Sequence, residues 1–265
     1  MNAITVKDLT GAMNLTQPTT LYAANEHRIF WLGNTDETAF RCNTYLIVDH
    51  HEAILIDPGG KRHFAQVIRR VAQILPPEQV NGMVLCHQDP DVAASMTDWL
   101  AVNPSMRVFT TPRTQVLLPH YGRSDYWYCD VSSHPVYTMP SGARLNFIEA
   151  PFLHFPGAFV TYDAQARYLF SGDIWAALDL DWTLVVDSFE KHVPKMNLFH
   201  LDYMASNLAA RGFVKRIEHL AIDAILPQHG SILGSQHVAA ALDYLRQLHC
   251  GTDIIYADLE NDHGG

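Results

Sequence analysis

The chain has 265 residues, 48% of them hydrophobic, so it can bury a full core and lies near the upper end of single-domain size. Its formal net charge of −10 argues against nucleic acid and anionic membrane surfaces, because both attract clustered Lys and Arg. No apolar stretch approaches a membrane span, and Met1 to Leu15 lacks the basic start and apolar centre of a signal peptide. We therefore expect a cytoplasmic protein without nucleic-acid or membrane partners.

The first part of the chain alternates short apolar runs with turn residues. Such runs predict strands at residues 28–32, 45–48, 53–56 and 82–86. From residue 61 to 75 apolar side chains recur at intervals of three and four, which predicts a helix that Pro76 and Pro77 end. A second helix is predicted at residues 92–100, with Asp91 at its start.

The alternation of strands and helices continues to the end of the chain. Strands are predicted at residues 107–110, 136–139, 144–149, 158–162, 168–170 and 224–226. Helical patterns occupy residues 201–220 and 236–249. Strands in two clusters flanked by helices predict an α/β fold with four layers, helix, sheet, sheet and helix. We expect one domain across residues 1–265, with a frayed polar tail at about 258–265.

A cluster of metal-ligand residue types lies directly after the strand predicted at residues 82–86. His87, Asp89 and Asp91 stand at every second position where the chain turns toward a helix. Three side chains spaced in this way can converge on one point. Imidazole and carboxylate suit non-haem iron, zinc or manganese. The cluster therefore predicts a metal site.

Three later segments each place one further ligand type after an apolar run. They contribute His154, Asp173 and His229. A lone His or Asp after a strand is more often a turn residue than a ligand, so each segment alone is a weak signal. Together with the first cluster they make a strong one.

The order and spacing of these residues resemble the metallo-β-lactamase superfamily, and within it the flavodiiron branch. That branch carries a His-x-Glu-x-Asp-His motif, then a His, a bridging Asp and a last His. The segments at residues 43–48 and 54–59 resemble the opening hairpin of the superfamily, and residues 153–156 resemble a flavodiiron His-Trp-Pro segment. The resemblance spans roughly residues 25 to 250 and implies an αββα sandwich. It also implies two iron ions held by His87, Asp89, Asp91, His154, the bridging Asp173 and His229.

Two departures from the family motif bear on the chemistry. Val92 stands where the motif has its second His, so the second metal keeps Asp91, Asp173 and His229 from this set. An open coordination position follows, or alternatively one metal is lost or weakly bound. Asp89 replaces Glu, at a position where hydrolytic superfamily members place His. A carboxylate there stabilises the higher oxidation state, which favours iron over zinc.

The expected function is binding of dioxygen, with nitric oxide as a possible second ligand. No flavin module or Gly-rich phosphate loop is recognisable, so we expect no flavin on this chain. The chain resembles stand-alone oxygen-binding diiron proteins, some of which serve chemotaxis, and that resemblance implies a signalling partner and a homodimer. Two alternatives stay open: an oxygen or nitric oxide reductase with a separate electron-donor protein, and a zinc hydrolase.

A few other residues carry weaker expectations. Asp57 is a candidate to support a ligand histidine, or else a plain turn carboxylate. Cys86 is expected to pack as a small hydrophobe on the side opposite His87 and not to bind the metal, because adjacent strand residues face opposite sides. Residues 121–129 could form a lid, a partner surface or a packed loop, and residues 175–197 either a wall of the site or a surface excursion. The four cysteines, Cys42, Cys86, Cys129 and Cys250, are expected to be thiols.

Overall fold

Seven strands in chain order form the first sheet of the structure, a computed structural model that describes residues 5–9, 16–33 and 38–260. The strands are β1 (Thr19–Ala24), β2 (His27–Trp31), β3 (Tyr45–Asp49), β4 (Glu52–Ile56), β5 (Gly82–Val84), β6 (Arg107–Thr110) and β7 (Trp127–Asp130). Neighbours from β1 to β4 are antiparallel, and those from β4 to β7 are parallel. The helices that the parallel connections require cover one face of this sheet.

The second sheet has the order β13-β12-β11-β10-β9-β8. Its strands are β8 (Val136–Thr138), β9 (Arg144–Glu149), β10 (Phe159–Asp163), β11 (Tyr168–Gly172), β12 (Ala224–Pro227) and β13 (Leu233–Gly234). The pair β11 and β12 is parallel, and the other pairs are antiparallel. The crossover between β11 and β12 contains the two longest helices.

Nine α-helices accompany the sheets within the described ranges. They are α1 (Phe64–Val71), α2 (Pro90–Ala93), α3 (Met96–Val102), α4 (Pro112–Gln115), α5 (Phe189–Tyr203), α6 (Asn207–Ile217), α7 (Val238–Gln247), α8 (Thr252–Ile255) and α9 (Ala257–Glu260). Among these described helices, none combines the length and apolar character that crossing a bilayer requires.

Three hydrophobic clusters define four layers. The first lies between the sheets and joins side chains such as Ile47 and Phe170. The second packs the outer face of the second sheet against α5, α6 and α7, and the third packs the outer face of the first sheet against α1 and α3. Central strands such as β3 and β11 are buried along their whole length, which explains their nearly continuous apolar sequence. The predicted αββα sandwich is confirmed.

Several predicted elements change at their ends. The helix predicted at residues 92–100 begins at Pro90 and is interrupted, because Ser95 donates hydrogen bonds to the carbonyls of Pro58 and Gly59. Such bonds to a neighbouring loop replace the continuous helical ladder. Likewise the pattern at residues 201–220 spans the end of α5 and the whole of α6.

Other differences concern the start of one predicted helix and strands that were not predicted. The predicted helix at residues 61–75 begins as a 3-10 turn, Lys61–His63, before α1. Strands β1, β7 and β13 were not predicted. Residues 127–130, within the segment considered as a lid, pair in parallel with β6. Part of the expected tail is helical, since α9 extends to Glu260, and residues 261–265 lie outside the described residues.

The topology brings functional loops to one rim of the sandwich. The loops that follow β5, β11 and β12 leave from strand ends on the same side. An antiparallel bridge pairs Cys42 with His229 and so ties the loop before β3 to the loop after β12. Asn43 strengthens this tie, since its amide donates to the carbonyls of Pro227 and Gly230.

Candidate metal centre

The loop after β5 presents three of the predicted ligands. Asp89 occupies the N-cap position of α2 but makes no side-chain capping bond, so its carboxylate is available to the rim. The side-chain amide of Gln88 donates to Asp89 Oδ1 at 2.7 Å, which leaves Oδ2 facing His87 and His154. Asp91 follows in the first turn of the same helix.

The remaining three predicted ligands come from the second sheet. His154 lies in the connection between β9 and β10, Asp173 directly follows β11, and His229 follows β12. Glycine is required beside two of them. Gly172 has φ +54° and an added Cβ would lie 2.8 Å from Cys86 Sγ, while a Cβ at Gly230 would lie 2.9 Å from a backbone oxygen. The structure therefore brings all six predicted residues together.

Asp173 faces two separate groups of side chains. Its Oδ2 lies 2.9 Å from His154 Nε2 and 3.2 Å from His87 Nε2. Asp89 Oδ2 completes this first group at 3.4 Å from His154 Nε2 and 3.6 Å from His87 Nε2. Two imidazoles and two carboxylates thus surround one point.

The second group lies on the other side of Asp173. Asp173 Oδ1 is 3.6 Å from His229 Nε2, and Asp91 Oδ2 is 3.1 Å from the same nitrogen. Cys42 also belongs here, with Sγ 3.8 Å from Asp91 Oδ2. Cys42 was not among the predicted ligands, because only the bridge to His229 brings this distant segment to the rim.

The electrostatics of the site suit cations. Three buried atoms, His87 Nε2, Asp173 Oδ1 and His229 Nε2, lack a well-aligned hydrogen-bond partner. Burial alone would lower the pKa of His154, but Asp173 and Asp89 outweigh it and raise that pKa to about 9. Burial alone would raise the pKa of Asp173, but the facing histidines hold it well below its ordinary value. A bound dication would take the place of the imidazole protons, so the donor set fits metal ions.

Cys86 and Asp57 support the first group from behind. Cys86 is buried, as predicted, and belongs to neither group of candidate ligands. Its contact with His87, Sγ to Nδ1 at 3.1 Å, was not predicted, because strand β5 ends at Val84 and side-chain alternation does not extend to Cys86. Asp57 Oδ1 accepts the backbone N–H of Cys86 at 3.0 Å and thereby holds the chain just before His87. The four cysteines form no disulfide with one another in the structure.

Aromatic side chains that the sequence analysis did not single out line the site. On α5, Phe199 and Tyr203 stack at 4.5 Å, and each ring lies 5.8 Å from His154. Phe40 covers His229 at 4.0 Å. Phe199 and Tyr203 are spaced as core residues of a helix are, and Phe40 lies in a loop. The sequence therefore does not distinguish these three aromatic residues from ordinary core residues.

The segment at residues 175–197 supplies little of this lining. Trp182 packs at 5.6 Å from Trp31, and Phe189 stacks on His237. The tryptophan that begins the segment, Trp175, is fully buried in the helical layer. All three side chains pack on other parts of the molecule, so the segment is not a surface excursion folded on its own apolar residues. From residues 121–129, the Tyr121 hydroxyl donates to the carbonyl of Gln88, within the ligand loop.

Comparison with known proteins identifies the family. A family model described as ODP family beta lactamase matches residues 40–230, about seven tenths of the chain and the whole of the candidate site. The chain belongs to this family. The match includes every predicted ligand and Cys42.

Solved structures and curated relatives agree with this assignment. A structure described as a peroxy diiron species of the chemotaxis sensor ODP has a TM-score of 0.81 and 33% identity, covering 91% of this chain and 99% of that one. The apo state of the chemotaxis sensor ODP from T. denticola has a TM-score of 0.79 and 32% identity, with 91% and 98% covered. A nitric oxide reductase from Moorella thermoacetica is 28% identical over 72% of this chain and 49% of that protein. The chain spans about a third to three fifths of the length of the first curated relatives.

Proposed function

We propose that this chain holds two iron ions at the rim and binds dioxygen, as an oxygen sensor or oxygen-binding protein in a chemotaxis-like signalling context. The observation that carries the proposal is the position of Asp173, whose two oxygens face two separate groups of candidate ligands. The proposal extends to a single domain across residues 1–265. A cytoplasmic location, a homodimer and a signalling partner belong to the same proposal.

The six predicted side chains would divide between the two metals. His87, His154 and Asp89 would hold the first ion, and Asp91 and His229 the second. Asp173 would bridge them. The first group supplies more nitrogen and the second is poorer in imidazole, so the second ion is better placed to accept an external ligand.

Iron is favoured by the donor chemistry. The centre combines three carboxylates with three imidazoles, a hard and anionic set that stabilises a trivalent ion. A zinc hydrolase would need a nitrogen-rich first site to generate hydroxide near neutral pH. Asp89 stands where that chemistry places a third imidazole, so hydrolysis is the weaker candidate. When bound, a ferrous pair would supply electrons to dioxygen.

Residues of this chain control access to the centre. Asp89 and Asp91 have 31% of their side-chain surface exposed, whereas His229 has 1%, so the site opens on the aspartate side. Phe199 and Phe40 close the other side and keep water from the buried histidines. A small neutral molecule would enter past the aspartates.

An oxygen or nitric oxide reductase that uses a separate electron donor is the second candidate. It is favoured by the similarity to the Moorella protein named nitric oxide reductase. That relative is about twice as long as the matched region, so its activity need not reside in the shared part alone. Sensor and reductase differ in whether turnover continues after the first encounter with oxygen.

The test is an oxygen electrode trace. The anaerobically reduced, iron-loaded protein is mixed with excess dissolved oxygen, first alone and then with NADH. We expect uptake near one equivalent per pair of irons, with no restart on adding NADH. Continuous consumption with NADH and this chain alone would contradict the oxygen-binding proposal and favour a reductase. Bovine serum albumin mixed with the same amount of iron gives the background rate of oxygen consumption.

A further inference from the structure

The second group of candidate ligands contains a thiol that the six predicted residues leave out. Cys42, Asp91 and His229 each offer one atom within 4.8 Å of the others. The sequence motif has lost an imidazole at Val92, a side chain that is fully buried and cannot bind metal. The second ion would therefore have one protein ligand fewer than the family motif provides, unless another segment supplies it.

Backbone geometry fixes the position of Cys42. The antiparallel bridge sets Cys42 directly opposite His229, and the N–H of Asn43 donates to the carbonyl of Gln228 at 2.6 Å. Asn43 is fully buried and its amide holds both flanks of the His229 loop. The thiol is thus held by the same hydrogen bonds that hold a candidate ligand.

The neighbouring imidazole points into the same space. His229 Nδ1 lies 2.9 Å from the carbonyl oxygen of Arg41, so Nδ1–H donates there, and in the neutral ring that binds metal Nε2 carries the lone pair. Nε2 is buried without a well-aligned hydrogen-bond partner, and the side chain is 1% exposed. Cys42 itself is 9% exposed. A buried nitrogen aimed at a thiol and a carboxylate is a donor set of the kind that binds transition metals.

We propose that Cys42 is a ligand of the second metal ion and takes the place of the imidazole lost at Val92. This inference rests on the proposed two-metal function. On binding, the Sγ–H bond breaks, an Sγ–metal bond forms, and the proton passes to solvent. No oxidant or reductant is needed for that step. The second ion then has Cys42, Asp91, Asp173 and His229 as protein ligands, and the two ions differ in ligand type.

Because only the second ion would have a thiolate ligand, absorption spectroscopy can test the proposal. Thiolate-to-cobalt charge transfer absorbs in the near ultraviolet, and imidazole and carboxylate ligands give no such band. The full chain, freed of metal, is titrated anaerobically with Co²⁺. We expect two Co²⁺ per chain, with the thiolate band appearing together with the weaker equivalent. In Cys42→Ser and Cys42→Ala the band is lost, and the weaker equivalent binds about tenfold less tightly or worse.

Two matched cysteine variants complete the design. Cys129→Ser, in β7, keeps the band because that thiol lies outside the rim. Cys86→Ser also keeps it if Cys42 is the ligand, although Cys86 contacts His87. A band that disappears in Cys86→Ser and persists in Cys42→Ser would overturn the assignment. Far-ultraviolet circular dichroism checks that each variant is folded.

Two results separate failure of this inference from failure of the proposed function. Two Co²⁺ bound by the wild-type chain without a thiolate band would overturn the role of Cys42, which would then only donate a hydrogen bond to Asp91. The two-metal proposal would stand. Fewer than two Co²⁺ bound by the wild-type chain would overturn both.

Discussion

At the scale of single residues, Asp173 is the side chain on which the candidate centre depends. Its two carboxylate oxygens are directed to different groups, and the side chain is 5% exposed. His229, by contrast, contacts only the second group. Loss of a residue that would bind both metal ions and loss of one that would bind a single ion therefore have different effects on metal content.

We predict that Asp173→Ala abolishes binding of both metals, whereas His229→Ala mainly removes the second. The reason is that only Asp173 contributes to both groups. Iron per chain, measured after anaerobic reconstitution, should fall from about two to near zero in the first variant and to about one in the second. Asp125→Ala is the control, since that carboxylate is 83% exposed, pairs with Arg123 and belongs to neither group of candidate ligands, so the variant should keep two irons. Equal losses in the Asp173 and His229 variants would contradict the bridging role.

A second prediction concerns His200 on α5, behind the site. Its Nε2 accepts the N–H of Trp175 and its Nδ1–H donates to the carbonyl of Met196. Complete burial lowers its pKa from 6.5 to about 4. The folded state thus resists protonation, while the unfolded state binds a proton below pH 6.5. The contribution of neutral His200 to the free energy of unfolding is fully present above pH 6.5. As pH falls toward 4 this contribution is lost, and the loss is at most roughly 3 kcal/mol.

Denaturant unfolding of the metal-free chain between pH 4 and 7 measures whether the free energy of unfolding falls as the pH is lowered. Wild type should lose stability steadily as pH falls through this window. His200→Gln can keep a neutral side chain at every pH, so its stability should fall less steeply over the same range. Identical slopes in the two proteins would show that His200 is not the titrating group.

At the scale of elements, strand ends explain why the six predicted ligands could be found from sequence. His87, Asp173 and His229 each come just after a buried apolar strand, and parallel strand ends meet at one edge. Cys42 had no such signal, since its position depends on a single bridge formed only in the folded chain. The interruption of the predicted helix at Ser95 has the same origin. Hydrogen bonds between distant segments override the local pattern.

We predict that Asn43→Ala destabilises the chain by about 2–4 kcal/mol and weakens the second metal site. The change leaves the buried carbonyl of Gly230 and the Trp31 indole N–H without their side-chain partner, and it removes one of two side-chain donors to the carbonyl of Pro227, where the Tyr45 hydroxyl remains. Chemical unfolding and a Co²⁺ titration measure the two effects. Asn146→Ala is the control, because that partly buried amide donates a single bond in β9 and should cost about 1 kcal/mol or less. A full second equivalent in Asn43→Ala, with unchanged affinity, would contradict the role given to this tie.

At the scale of the whole molecule, the two sheets are joined at both ends. The candidate metal centre joins them at one rim. At the opposite end, His27 of β2 lies 2.7 Å from Asp49 of β3 and 2.7 Å from Asp163 of β10, and all three side chains are fully buried. Burial alone would lower the pKa of His27, but the two aspartates outweigh it and raise that pKa. The imidazole of His27 thus connects the sheets through one carboxylate on each side.

We predict that His27→Ala destabilises the protein by about 3–5 kcal/mol, because it leaves two buried carboxylates facing each other. Equilibrium unfolding in urea is the measurement. Arg167→Ala serves as comparison, since it breaks the half-exposed pair with Asp223 and should cost less than about 1 kcal/mol. A similar small loss in both variants would show that the buried triad contributes no more than a surface pair.

The most direct test of the two-iron, oxygen-binding function is metal analysis combined with a visible spectrum before and after air. The protein is expressed with ample iron, purified without oxygen, reduced, and exposed to air. We expect about two irons per chain and a visible absorption that grows on exposure, because ferric ions with bridging ligands absorb there and zinc does not. Full occupancy by zinc, with little iron and no change in colour, would contradict the account.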